Sequence, residues 1–482
     1  MPHAAHLFTH SLTVRLRIEN RTGMFARIVA AIARAGGDMG GVDLVSAHGQ
    51  YKVRDLTINA RDEAHAERIL ERVRRVRGVE VLHVSDRVFL LHLGGKIHLG
   101  NKIPISTRDA FSMAYLPGVA RVCSAIAADR EKVYALTIKH NSVAVVSDGS
   151  AIAGLGDVGP EGALPALEGK AMLFKEFAGI DAYPISLRTR DTEEIIRTVS
   201  FLSTGFGGIN LEGISAPRCF EIEERLERDL EIPVFHDNQH ATSIVVLAAC
   251  LNALKVVRRT LRQSRIVVVG AGVAGVAVTK MLLAAGARNI VVCDRGGIIN
   301  KTRMPELSEI KRWLARNTNA DNRGGNLLDA TNRADLLISV SSPGGVPART
   351  LSRMGKDAIV MALATPEPEI APEIAARYAT VVATSRSDYP NQISNVLAFP
   401  GVFRGALRVR SREINEPMKL AAARAIAECI PARELSAEYI VPSIFNPDVP
   451  RRIADAVEAA AYQTNAAKRH GPTAGGDHSP SS

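Results

Sequence analysis

Ile266-Val267-Val268-Val269-Gly270-Ala271-Gly272-Val273-Ala274-Gly275 decides how this chain is read. The first four residues make a short buried strand, and residues 276–285 carry a helix pattern. Residues 289–293 form a second strand that ends in Asp294. A lone G-x-G-x-x-G says little. Between a strand and a helix, with an acid closing the next strand, it marks a dinucleotide turn. Its glycines let the backbone approach a pyrophosphate at the helix N-terminus. A turn that serves packing alone is the competing reading. Gly270, Ala271, Gly272, Val273, Ala274, Gly275 and Asp294 are therefore candidate cofactor-binding residues. Asp294 would bond a ribose 2′-hydroxyl and favour NAD, while Arg295 beside it leaves NADP possible.

Working outward, residues 336–340, 358–362 and 380–383 read as further strands, each running into a polar turn. Upstream, residues 143–146 lead into Ser147-Asp148-Gly149, and a glycine-rich loop spans 154–161. A helix over 164–177 carries Lys170, and a strand over 208–211 ends at Glu212. Ile232-Pro233-Val234-Phe235-His236 runs into Asp237-Asn238-Gln239-His240 before an apolar helix over 243–254. Such βα alternation predicts a parallel sheet with polar groups at its carboxyl edge, where α/β folds bind ligands. Taken alone, Asp237 or Asn238 could equally be a helix cap.

Residues 11–91 follow a βαββαβ order, a ferredoxin-like unit. With Glu19-Asn20-Arg21-Thr22-Gly23-Met24-Phe25 and Gly36-Gly37-Asp38, this segment resembles an ACT domain. The resemblance implies an amino-acid effector at the first strand–helix loop, although Thr22 stands where the family often has Pro. A purely structural pairing domain is the alternative.

Length and composition narrow the classes. A chain of 482 residues exceeds one ordinary core. Its 46% apolar and 23% charged content is that of a globular protein. No uncharged apolar run is long enough to span a bilayer, and residues 1–10 lack a secretory pattern, so a membrane protein is not expected. The 5 scattered cysteines exclude a zinc ribbon and suit a reducing cytoplasm. The net charge of +10 is spread along the chain, and the arginine run within 67–77 reads as a solvated helix face. Nucleic acid is not an expected partner; anionic small molecules are.

Residues 90–460 resemble the bacterial malic enzymes. The likeness rests on Thr107-Arg108-Asp109, Ala114-Tyr115-Leu116-Pro117-Gly118-Val119, Val145-Val146-Ser147-Asp148-Gly149 and Glu168-Gly169-Lys170. It continues through Phe206-Gly207-Gly208-Ile209-Asn210-Leu211-Glu212, Ser387-Asp388-Tyr389-Pro390-Asn391-Gln392 and Asn395-Val396-Leu397-Ala398-Phe399-Pro400-Gly401. The implied layout is an ACT-like domain over 1–91 and a substrate domain over 92–257. A Rossmann-type doubly wound domain over 258–419, C-terminal helices over 420–464 and a disordered tail over 465–482 follow. The implied reaction is oxidative decarboxylation of (S)-malate to pyruvate by a homodimer or higher homo-oligomer. Lys170 matches the base, Tyr115 the proton donor, Asp237 the carboxylate accompanying the lysine, and Asn395 a cofactor contact.

The family also implies Mg²⁺ or Mn²⁺ on three carboxylates. Here Glu212 is kept, Gly213 replaces the second and Asn238 the third. Ala241, Thr365, Ser394 and Arg188 are further departures. Two functions follow: a NAD-dependent malic enzyme, or a relative with a degraded metal site that binds NAD and an effector without that turnover or acts on another 2-hydroxy or 2-keto acid.

Overall fold

The structure, a computed structural model, describes residues 10–468 and divides into two compact units, Met1–His98 and Leu99–Ser482. In the first, strands β1 (His10–Glu19), β2 (Asp38–Ala47), β3 (Tyr51–Ala60) and β4 (Val79–Asp86) form an antiparallel sheet of order β2-β3-β1-β4. Helices α1 (Met24–Arg34) and α2 (Glu63–Arg74) cover one face. Alternation places Val14, Leu16, Leu56 and Ile58 inward, against Ile28, Ile32, Ile69 and Val73 of the helices. The βαββαβ order expected from the sequence is present. A short helix, α3 (Arg87–His92), packs on β1, and the unit extends past residue 91 to His98.

In the second unit, α4 (Arg108–Ala114) and α5 (Gly118–Ala128) come first, separated by residues 115–117 with Pro117 just ahead of α5. Strand β5 (Ser142–Ser147), α6 (Gly159–Ala178), β6 (Asp181–Ser186) and α7 (Thr192–Leu202) follow. Strand β7 (Gly208–Leu211), α8 (Arg218–Asp229) and β8 (Val234–His236) then close a parallel sheet of order β6-β5-β7-β8. Every residue of β5 is buried, as expected for a strand covered on both faces.

Helix α9 (Asp237–Val256) links this sheet to the next. By length and composition it could cross a membrane, but most of it is buried in the protein core. Its apolar residues point in all directions because packing surrounds it on all sides. The second sheet, of order β11-β10-β9-β12-β13-β14, is built from β9 (Arg265–Val269), β10 (Asn289–Asp294), β11 (Gly297–Ile298), β12 (Leu336–Ser339), β13 (Ile359–Ala362) and β14 (Val381–Thr384). It is parallel apart from the β10–β11 pair. One hydrophobic core runs from Val143 and Phe174 through α9 to Ile266, Met361 and Val381, so the two sheets share an interior within one unit.

Helix α10 (Val273–Ala284) leaves the glycine turn, and α11 (Glu309–Asn317) follows β11. Helices α12 (Phe399–Arg408), α13 (Glu416–Glu428) and α14 (Asp448–Gln463) pack back on the core. Residues 465–468, expected in a disordered tail, bond to the body: Arg412 N donates to Ala466 O at 3.0 Å and Lys468 Nζ pairs with Glu231 at 2.9 Å. The rest of that tail lies outside the described residues.

Candidate active site

Lys170 is placed by the periodicity of α6. Ala163, Leu167, Lys170, Ala171 and Phe174 form its buried stripe, so the lysine is carried inward with its apolar neighbours. It ends between two carboxylates at the carboxyl ends of adjacent strands. Its Nζ lies 2.8 Å from Asp237 Oδ2, just after β8, and 3.1 Å from Glu212 Oε2, just after β7. The Phe399 ring centroid is 4.2 Å from the same Nζ. Asn395 Nδ2, beyond β14, also donates to Asp237 Oδ2. The structure thus joins Lys170, Asp237, Glu212 and Asn395, which lie far apart in the sequence.

Burial opposes the charge on Lys170, but Asp237 and Glu212 outweigh it, and its pKa is raised. The resting lysine is an ammonium. Burial, opposed by Lys170 and reinforced by Asp237, raises the pKa of Glu212.

A third carboxylate, one that no sequence motif singles out, holds the turn that presents Asp237. Glu223 on α8 is 6% exposed. It accepts from the backbone N–H of His236 at 2.7 Å, from Gln239 Nε2 at 2.6 Å and from His240 Nε2 at 2.8 Å. Burial disfavours its charge, yet His240, His236 and Lys419 hold its pKa down at about 2. Its signal in the sequence was a glutamate on the apolar stripe Cys219, Ile222, Leu226. A second clamp, buried Asp148 at the end of β5, pairs with Arg218 Nη2 at 2.9 Å and fixes the loop after β7.

The donor set suits a divalent cation at two of its positions. Asp237 Oδ1 is buried with no hydrogen-bond partner among the described residues. Such an oxygen calls for water or a cation. With Glu212 beside Lys170, two carboxylates are at hand, and Mg²⁺ commonly takes one or two and completes its shell with water and substrate. Glu212 and Asp237 fit on that ground. The remaining positions are weaker. Asn238 Oδ1 accepts from Gly213 N at 3.2 Å. Gly213 has φ +59°, and a Cβ there would lie 2.6 Å from Ile152 Cδ1. An isoleucine fills the space a third carboxylate would need.

The dinucleotide turn lies where the sequence put it. Gly270, Ala271 and Gly272 line a cleft of about 1070 Å³ together with Asp294, Lys311 and Ser341. Gly275 cannot be replaced without distortion, since a Cβ would meet Gly270 O at 1.8 Å. Val273 and Ala274 open α10. Asp294 is not a bare acid: Oδ1 pairs with Arg303 at 3.0 Å and Oδ2 with Lys311 at 2.7 Å. Burial resists its charge, but these two cations hold its pKa low.

Tyr115 stands apart from this cluster. It is 58% exposed and packs on Phe111, with ring centroids 5.8 Å apart. No residue of α4 or α5 is buried. In the first unit, the loop expected to take an effector borders a groove of about 650 Å³ that includes Glu19, Asn20 and Arg21. The N-terminus of α1 carries no side-chain cap, and Met24 N donates to Arg21 O at 3.3 Å.

Family profiles match as malic enzyme, N-terminal domain (residues 94–194), malic enzyme, NAD binding domain (residues 240–386 and 375–462) and ACT domain (residues 9–83). The chain is 54% identical to a NAD-dependent malic enzyme of Geobacillus stearothermophilus, covering 97% of both. It is 48% identical to a bifunctional malic/malolactic enzyme of Bacillus subtilis over 80% of this chain and 95% of the relative. A solved malic enzyme from Pyrococcus horikoshii matches with TM-score 0.75 and 46% identity, over 78% of this chain and 89% of that one.

Proposed function

The chain belongs to the malic enzyme family and carries an N-terminal ACT domain, and from that premise we propose that it oxidatively decarboxylates (S)-malate to pyruvate and carbon dioxide while reducing NAD. One observation carries the reading. Asp237 Oδ2 is held by Lys170 from the first parallel sheet's side and by Asn395 from the loop beyond β14 of the dinucleotide sheet. The charged cluster and the cofactor fold therefore meet at one carboxylate.

The residues divide the work as follows. Hydride departure from C2 of malate requires loss of the hydroxyl proton, and Lys170 is the base proposed to take it. As an ammonium it first attracts the anionic substrate; Asp237 is the neighbour placed to exchange a proton with it. A divalent cation held by Glu212 and Asp237 would polarise the C2 oxygen as a Lewis acid. Burial keeps water from Lys170 and Asp237, which strengthens both charges toward a bound dicarboxylate. Tyr115 is the proposed acid that returns a proton to the enolate. Its hairpin exposes Phe111, Met113 and Leu116, and a second copy of the chain is the proposed cover, giving a homo-oligomer. A sedimentation mass of one chain would contradict that part.

Asp294 neutralised by two cations supports NAD as the main cofactor with NADP tolerated. The groove beside Asn20 is the proposed amino-acid effector site, and amino acids that leave both binding and rate unchanged would refute it. A cytoplasmic setting is supported by the absence of disulfides among the described residues, and secretion of the protein would contradict it. The central test incubates purified protein with malate, NAD⁺ and Mn²⁺. The expected products are NADH and pyruvate. A rate no higher than that of Lys170→Ala, with either cofactor and several metals, would overturn the assignment.

A further inference from the structure

The arginine run that reads as a solvated face in the sequence is half of a larger arrangement. The helical face of the first unit holds a groove of about 570 Å³ between α1 and the end of α2. Arg27 and Arg34 line it from α1; Arg72, Arg75 and Arg77 line it from the other side. No acidic side chain lines the groove. Arg75 has a 3.7 Å contact with Glu71, and the other four arginines form no ion pair among the described residues. The rest of the lining is small and apolar: alanines of α1, such as Ala30, and Val76.

Ordinary helix chemistry accounts for part of this. Arg34 and Arg72 sit in last turns, where cations complement the helix dipole. Arg27 lies in the first half of α1, and Arg77 lies beyond α2. Five like charges around one concavity repel one another unless an anion enters. A single carboxylate would leave most of that charge uncompensated. Guanidinium forks match phosphate oxygens in pairs, and a volume of this size accommodates a nucleotide-sized ligand against the small apolar lining.

The geometry points to a binding site for a polyphosphate-bearing small molecule, of the nucleoside polyphosphate class, on the helical face of the ACT domain. The site is distinct from the loop groove at Asn20 and from the dinucleotide cleft. Its ligand is recognised through the phosphate chain, with the apolar lining left for a base.

The test uses the full chain saturated with NAD⁺, so that the dinucleotide cleft is filled. Inorganic tripolyphosphate and ATP are titrated by calorimetry at low and at physiological salt. Both should bind with one site per chain, ATP the tighter, and weaken as salt rises because the contacts are exposed and screened. The double variant Arg34→Glu/Arg72→Glu should raise both dissociation constants by more than about tenfold, since two attractions become repulsions. Its far-ultraviolet circular dichroism and its malate turnover without ligand should both match the parent's, which shows that each of the two units is folded. Absence of binding to the parent chain, or equal affinity in the variant, overturns the proposal. Tighter capture of a duplex oligonucleotide than of ATP by the same arginines also overturns it, because the surface would then be a nucleic-acid patch.

Discussion

Replacing Glu223 with Gln should cost the protein roughly 3 kcal/mol at neutral pH, a figure that follows from the bonds its carboxylate accepts. Glu223 accepts three hydrogen bonds, from His236 N, Gln239 Nε2 and His240 Nε2. Each loses about 1 kcal/mol when its acceptor becomes neutral. Proton linkage gives the same sign but less than the whole shift: against burial, His240 and His236 hold the carboxyl at about 2, below an ordinary 4.5, while they are protonated, and burial lowers their own pKa values, so near pH 7 their charge is gone and only part of that shift stabilises the fold. Because the folded pKa is depressed, that contribution is complete above the unfolded value and is lost as pH falls from 4.5 toward 2. The variant has no such group, so the gap between the two proteins should narrow over the same interval.

One offset is expected. Glu227, pushed up to about 7 by burial and then by the charge of Glu223, ionises more easily once that charge is gone. Urea unfolding at a series of pH values, followed by the fluorescence of Trp313, the 1 tryptophan of the chain, reads the effect. A loss below about 1 kcal/mol at pH 7, or a gap that stays constant down to pH 3, would refute the clamp. So would unchanged malate kinetics in a variant that is destabilised as expected, because the clamp sets the position of Asp237.

Gly213→Ala should lose about 1–2 kcal/mol, since an alanine at φ +59° is strained and its Cβ meets Ile152; an unchanged urea midpoint would contradict this. Gly213→Asp alone should fail to gain Mn²⁺ affinity, while the same change with Ile152→Ala should gain it, as read by calorimetry; a gain in the single variant would show that Ile152 yields freely. Lys311→Gln removes one of the two cations on Asp294, and the KM for NADP should rise about tenfold relative to that for NAD. An unmoved ratio would show that Lys311 does not face the ribose.

The fold was legible wherever local pattern and tertiary packing agreed. Four buried residues ahead of Gly270, glycines at fixed spacing and an acid after the next strand can form only a few structures. The alternation of β1 reads directly as one buried face. Lys170 was legible as a position but not as a state: only the approach of Asp237 and Glu212 shows that its proton is held. Glu223 escaped because its partners lie on another helix and turn, and no period in the sequence connects them. The arginines of 67–77 were read as solvated because Arg27 and Arg34 are remote in sequence; the packing of α1 on α2 brings them to one groove. Tyr115 marks a limit of a different kind, since its surroundings in a single chain are solvent and Phe111.

The bond from Asn395 to Asp237 has a thermodynamic consequence. Whatever cofactor occupancy does to the loop beyond β14 is felt by the carboxylate that holds the proton of Lys170. Coupling of this kind is reciprocal: if filling the nucleotide cleft sharpens the grip on a dicarboxylate by some factor, the dicarboxylate must sharpen the grip on the nucleotide by the same factor. A single side-chain amide thus ties the two affinities together, and Asn395→Ala is the change that should weaken that tie.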